Sequence, residues 1–322
     1  MGCFFLISGF FSAKSLSMTI SKGRTRRSAI LQHLRGRLLR LGLPAAFFTL
    51  VMYPATLAIG IGKPITVDAY LTFLKGLRGV RGGAWWLSTA LLFDTIFATY
   101  NGLGLPAIPV SRYLPPLTLA ALPLMAWLWS SAFPFGTHID PIHVHAPCLP
   151  QYLVAYFTGT WLSSNPQFIA SRMLPKEARW RNSPLPALVL WLAYGVLLFK
   201  LPLTRSLLRD TTPLFVGGNL TSLLFGIWTE LGFATLSHCA IRVAELVTRD
   251  RRRTVAKQSI LPRLAYGAFL VHAILLCGIA VNLRSLRLSP VAKTLLVGSL
   301  ATVASFAVSA VLTRFPGLRN II

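Results

Sequence analysis

Residues 1–16 read MGCFFLISGFFSAKSL, an apolar run of about eleven residues that meets Lys14 without any polar lead-in. A secretory signal carries its positive charge before the apolar core and a small-residue cleavage site after it, and here the charge comes last. An N-myristoyl signal needs Ser or Thr where Leu6 stands, so Gly2 is not a lipid site. The run by itself is also shorter than the roughly twenty residues that cross a bilayer. It reads as part of a membrane span, and that reading decides the fold.

The rest of the chain agrees. Its 322 residues are 54% hydrophobic and 12% charged, against about 25% charged in a soluble domain, and the mean hydropathy is +0.62. We expect an all-α, polytopic transmembrane helix bundle, a single membrane domain over residues 1–322. Apolar segments at 41–62, 84–105, 113–135, 150–164, 185–203, 213–240, 260–283 and 290–313 predict about eight full spans, the fourth of them short, plus the partial one at the start. Prolines at 54, 123 and 202 should kink or end helices, and neighbours must then satisfy the freed carbonyls.

The net charge is +24, from 32 Lys and Arg against eight Asp and Glu. In a soluble chain that balance would suggest nucleic acid. Here the bases lie between apolar segments, so membrane lipids and phosphate-bearing ligands are the expected partners, and no nucleic acid is. The loops at 14–40, 106–112, 165–183 and 241–259, with the C-terminal tail, hold about twice the Lys and Arg of the alternate loops, which places them on the cytoplasmic side. Cys3, Cys148, Cys239 and Cys277 show no ligand-like spacing and read as small core residues. No internal repeat appears, and no inverted pair of broken helices that would favour a transporter-like protein.

Chemistry can come from few places. Residues 22–44, KGRTRRSAILQHLRGRLLRLGLP, end in Arg35, Arg37 and Arg40 directly before a span. On an α-helix Arg37 and Arg40 share a face, so two guanidinium forks could hold one polyanion at the membrane surface; the plainer alternative is a positive-inside stop signal. Glu230 in FGIWTELGF and Asp94 in ALLFDTIF are ionisable residues inside apolar segments, where an unpaired charge costs at least about 2.5–3.5 kcal/mol, so each should face the bundle interior or a wet cavity. His272 in LAYGAFLVH is a third such residue. The loop GTHIDPIHVHAP gathers His138, Asp140, His143 and His145, but in no metal-site pattern, and we expect a solvated loop and no metal. Most tryptophans, including Trp127, Trp129, Trp161, Trp180 and Trp191, lie near segment ends and read as an interfacial belt. The sequon at Asn219 falls inside a predicted span and is discounted.

FFLISGFFS, a basic loop and then HLRGRLLRLGLPAAFFTL resemble the acyltransferase type 3 family, in its glucan succinyltransferase-like subgroup. Further similar segments follow in the family's order: GGAWWLSTALLF, whose Gly83 to Leu87 resemble a GxxWFL helix start; PQYLVAYFTG, similar to PQYxxxFxxG; LPKEARWR; FGIWTELGF; LAYGAFLVH, similar to AYxxYLxH; and RFPGLRNII. The resemblance covers the chain from end to end.

It implies transfer of an acyl group from acyl-CoA, as donor substrate, to a hydroxyl of a sugar, lipid or small molecule, with no metal. It also gives Arg35, Arg37 and Arg40 a sharper role, since CoA presents a pyrophosphate and a ribose phosphate that suit arginine forks. In the family the segment similar to FFLISGFF follows further membrane helices, the first carrying a histidine that acts as general base. That histidine has no counterpart here, so the chain is expected to be truncated relative to the family. His272, Glu230 and Asp94 are the candidates to replace it. A non-catalytic remnant or truncated gene model is the alternative this departure implies.

Overall fold

The computed structural model describes residues 2–21, 25–104, 114–134, 136–165, 185–200, 218–250 and 260–315. LPKEARWR, Trp180, Pro202 and most of RFPGLRNII lie outside the described residues. The helices are α1 (Gly2–Ile20), α2 (Arg26–Arg37), α3 (Leu43–Phe47), α4 (Tyr53–Ile61), α5 (Val67–Lys75), α6 (Trp85–Gly102), α7 (Leu114–Ala132), α8 (Leu149–Ser164), α9 (Leu185–Lys200), α10 (Leu220–Asp250), α11 (Ile260–Asn282) and α12 (Pro290–Leu312). Between α7 and α8, β1 (His138–Ile139) pairs antiparallel with β2 (Val144–His145).

The described residues are mostly helical, with the β1–β2 pair as a short exception. Helices fall on every apolar segment marked above, and five stretches among the described residues are long and apolar enough to cross a membrane: Gly2–Ile20, Arg26–Ile61, Leu220–Arg242, Arg263–Asn282 and Pro290–Leu312. The opening stretch differs from its sequence reading. It does not stop at Lys14 but continues to Ile20 as a 19-residue helix. Lys14 is exposed and its aliphatic stem can lie along the helix, while the hydroxyls beyond it are satisfied locally, Thr19 donating to the Ser15 carbonyl at 2.9 Å.

The described chain groups into two compact units. The first comprises residues 1–34, 92–139 and 144–250; the second comprises 35–91, 140–143 and 251–322.

In the first unit α1 lies against α8 at glycine-limited distance. A Cβ on Gly9 would stand 2.1 Å from the Tyr156 carbonyl oxygen, and one on Gly159 would stand 2.0 Å from that of Leu6. Helix backbones approach this closely only through small residues, which is how membrane helices associate where lipid is as apolar as leucine. The close approach buries an aromatic core in which Phe5 meets Phe93 (ring centroids 5.5 Å) and Tyr152 (4.7 Å), and Phe93 meets Tyr156 (5.4 Å). Asp94, fully buried, accepts the Tyr156 hydroxyl inside that core. Ser12 and His33, both buried, are hydrogen-bonded at 3.3 Å and tie α1 to α2.

A second pair of helices in this unit is clasped by two tryptophans. Trp191 of α9 stacks on Trp228 of α10 at 5.5 Å and 12°. Each indole donates to the other's backbone carbonyl, at 2.9 and 3.2 Å, and each lies over a glycine four residues along the facing helix, Trp191 over Gly232 and Trp228 over Gly195. Trp191 therefore belongs to helix packing and not to an interfacial belt. Asn219 is no sequon of interest either: its side chain accepts from the Ser222 N–H at 2.8 Å and caps α10.

In the second unit the dominant constraint is proline. Two π-helical turns, Leu38–Gly42 and Phe48–Met52, join α2, α3 and α4 into one helical run. Pro44 and Pro54 follow these turns, and neither has an N–H for the carbonyl four residues back, Arg40 and Leu50 respectively. Both carbonyls are taken by tyrosines: the Tyr266 hydroxyl donates to Arg40 and the Tyr70 hydroxyl to Leu50, the latter at 3.0 Å. Gly62, at φ +71°, ends α4 in the left-handed conformation, and Ser289 caps α12 with Pro290 behind it. Helix α11 packs on α12, where Ser309 donates to the Leu264 carbonyl at 2.8 Å, and on α4.

Replacing Gly9 or Gly159 by alanine should cost about 1–3 kcal/mol of stability, the usual scale of forced overpacking. The check is the thermal unfolding midpoint of the purified protein, which should fall for both variants and hold for Gly298→Ala, whose added Cβ meets nothing within 4 Å.

Candidate active site

The first unit contains a cavity of about 410 Å³, within the roughly 300–1,000 Å³ range of small-molecule pockets. Five helices build it. Helix α1 contributes Gly2 and Cys3; the turn before α8 and its first residues contribute Cys148, Gln151 and Tyr152; α7 contributes Trp127 and Ser130; and α9 and α10 supply Trp191, Trp228 and Glu230.

Glu230 is the carboxyl group on its wall among the described residues. It is only 6% exposed and its Oε2 accepts from Gln151 Nε2 at 2.9 Å. A carboxyl group removed from water needs such a partner, because a hydrogen bond to it is worth about 1.5–3 kcal/mol and its loss costs the desolvation outright. The partner comes from PQYLVAYFTG and the carboxyl from FGIWTELGF, so two of the segments singled out in the sequence meet here. A third, FFLISGFF, meets PQYLVAYFTG through the Gly9–Gly159 approach. Cys3 and Cys148 are free thiols facing this cavity, and not the core residues their spacing suggested. Asp94, bonded within the aromatic core, does not line the cavity.

The remaining sequence candidates belong to the second unit. Arg35 and Arg40 are exposed and Arg37 is half-buried. The π turn changes their geometry: a π turn holds more residues than the 3.6 of an α turn, so a separation of three falls further short of a full revolution. Arg37 and Arg40 accordingly fan apart more than the α-helical reading implied. Tyr266, the tyrosine of LAYGAFLVH, fixes the backbone of that turn through the Arg40 carbonyl. On the same helix Phe269 meets the edge of Trp86 at 5.3 Å, joining the AWWL and LAYGAFLVH segments. His272 is exposed, its ring stacked on Phe269 at 5.4 Å and its Nδ1 bonded to the Phe269 carbonyl, which leaves Nε2 for exchange.

The histidine loop is ordered more than a solvated loop would be. The His138 and His145 rings lie 4.3 Å apart across the hairpin, and Val144 and Ala146 are fully buried. His143 Nδ1 sits 3.0 Å from Arg81 Nη1 and 3.4 Å from Asp140 Oδ1. Among the described residues no three His, Cys, Asp or Glu side chains are placed to hold a metal.

Sequence reasoning missed Gln151 and Trp228. Gln151 is an amide among apolar neighbours, and that was the available signal; its partner lies 79 residues away. The pair predicts a measurable coupling. In a double-mutant cycle of Gln151→Ala and Glu230→Ala, the interaction term in unfolding free energy should be about 1–3 kcal/mol. Additive effects would mean that the bond contributes nothing.

No curated protein and no solved structure matches the chain. A family model does, over residues 1–314, and it describes an acyltransferase domain. With its apolar spanning helices, the chain is an integral membrane protein that belongs to the acyltransferase type 3 family.

Proposed function

We propose that this protein transfers an acyl group from acyl-CoA to a hydroxyl of a sugar, lipid or small molecule, in the manner of the glucan succinyltransferase-like subgroup. The observation that carries the donor half is the arginine segment: exposed Arg35 and Arg40 with half-buried Arg37, on a turn whose backbone is braced by Tyr266. Guanidinium forks suit the pyrophosphate and ribose phosphate of CoA, and a braced backbone lowers the ordering cost of binding.

Glu230 is the favoured base. In its ionised form it takes the proton from the acceptor hydroxyl as that oxygen attacks the thioester carbonyl. The C–O ester bond forms, the C–S bond breaks, and the departing CoA thiolate takes up the proton. A base within hydrogen-bond reach is worth typically 10²–10⁴ in rate. His272 Nε2 is the second candidate for that proton.

Acetyl-CoA binding by the purified full chain tests the donor half. Arg37→Ala and Arg40→Ala should each weaken it by about tenfold or more, the scale of one charge-assisted contact. Tyr266→Phe should weaken it less, by loosening the turn. If acetyl-CoA fails to bind, or binds these variants as it binds the unaltered protein, the reading is wrong.

A further inference from the structure

Helices α4, α11 and α12 of the second unit enclose another cavity, of about 490 Å³. Its wall is Ile59 of α4, Leu300 of α12 and the part of α11 between Ile274 and Leu283, apolar throughout except for Asn282 near the end. From Ile274 to Leu283 that wall runs about 14 Å at 1.5 Å per residue. One leaflet fills half of a hydrocarbon core of roughly 30 Å, so the groove is about one leaflet deep. Beside it Cys277 ties α11 to α4, donating to the Thr56 carbonyl at 3.6 Å. A Cβ added at Gly278, on the wall itself, meets nothing within 4 Å.

The polar end of the groove adjoins the hairpin between α11 and α12, which is cationic. Arg284 and Arg287 follow Asn282 within five residues and are exposed, and exposed Lys63 stands four residues past Ile59. The hairpin is held in shape by its own bonds. The Leu286 N–H donates to the Leu283 carbonyl at 3.2 Å, and Lys293 reaches back from α12 to the carbonyls of Arg284 and Leu286 at 2.7 and 3.4 Å. Lys293 thus orders the backbone that carries both arginines, which lowers the cost of binding through them. Residues 260–315 contain no Asp or Glu, so neither arginine has a carboxylate within its own helical hairpin. By the loop count of the sequence this hairpin is not on the cytoplasmic side, where positive charge is favoured, so topology gives no account of its cations.

An apolar groove one leaflet deep that ends at ordered cations matches one class of molecule. From it we infer that the groove binds an anionic phospholipid, with one acyl chain between α4, α11 and α12 and the phosphate on Arg284 and Arg287. Guanidinium forks match phosphate oxygens two at a time. The chain leaves lipid to enter the groove, so it gains packing and no hydrophobic transfer, and the choice among lipids resides in the headgroup. A second copy of this chain in the same orientation would set its own Arg284 and Arg287 at the same depth and place like charges together. The site does not depend on the acyltransfer reading.

The test titrates the purified full chain in detergent micelles with dioleoyl phosphatidylglycerol or dioleoyl phosphatidylcholine and counts bound lipid by native mass spectrometry. Phosphatidylglycerol should bind at least about tenfold more tightly. Arg284→Ala and Arg287→Ala should each weaken its binding by about tenfold, the scale of one charge-assisted contact, and leave phosphatidylcholine within about twofold. Gly278→Phe, which fills the groove, should weaken both lipids severalfold. Anionic lipid also adheres elsewhere on a chain of net charge +24, so the decisive reading is the combination: once Gly278→Phe is present, Arg284→Ala should have little further effect. Equal affinity for the two lipids would overturn the inference, as would additive effects of Gly278→Phe and Arg284→Ala. So would displacement of phosphatidylglycerol by equimolar glycerol 3-phosphate, which would make this a site for a free anion. A dimer that Gly278→Phe dissociates while lipid binding holds would assign the groove to a second copy instead.

Discussion

The first unit depends on two glycines. Gly9 and Gly159 let α1 and α8 touch backbone to backbone, and the positions of the cavity residues on both helices follow from that approach. Gly2 and Cys3 lie two turns before Gly9, and Cys148, Gln151 and Tyr152 lie two to three turns before Gly159. Any residue larger than glycine at either site would separate the helices and open the gap between the cavity walls. The crossing also brings the Phe5 ring onto Phe93 and Tyr152, which sets the floor against which Tyr156 can bury its hydroxyl on Asp94. In a bilayer no hydrophobic drive favours one helix pair over another, so contact geometry must select the pair.

The second unit solves a different problem of the same solvent. A carbonyl released by proline cannot turn to water within a bilayer and needs a donor from a neighbour. Tyr266 and Tyr70 fill that requirement at Arg40 and Leu50. The consequence for function is local: the residue whose carbonyl is braced is itself one of the arginines proposed to hold CoA, so the proline that disturbs the helix also creates the need that fixes the arginine's backbone. The π turns that accommodate the prolines then set how the guanidinium groups spread.

Much of this was legible in the sequence, and the limits were physical. Hydropathy marks helices because a 20-residue apolar run has few alternatives, and the need for neighbours to satisfy proline-freed carbonyls follows from chemistry alone. The donors that do so could not be read, since Tyr266 lies 226 residues from Arg40. Glu230 stood out because a carboxyl in an apolar segment is costly; Gln151 did not, because a neutral amide is cheaper and the cost appears only once its partner is known. Trp191 was misread for a related reason. Composition places tryptophan at interfaces on average, whereas a reciprocal clasp over Gly195 and Gly232 is a property of two facing helices together. Lys14 misled the length of α1 because hydropathy counts its charge and not its stem.

The same distinction bears on how a membrane acyltransferase can tell its two substrates apart. Shape is a weak discriminator in a cavity of this size, where one methylene is worth only about 1–3 kcal/mol. Polarity of hydrogen bonding is a strong one, since a buried group left unpaired costs its full desolvation. Committing three indole N–H groups and three hydroxyl hydrogens to backbone carbonyls removes donors from the wall without adding any residue to it. The carbonyls involved belong to the helices that line the cavity or to the residue that caps one of them, so the bonds that hold these walls together are also the ones that take up those donors.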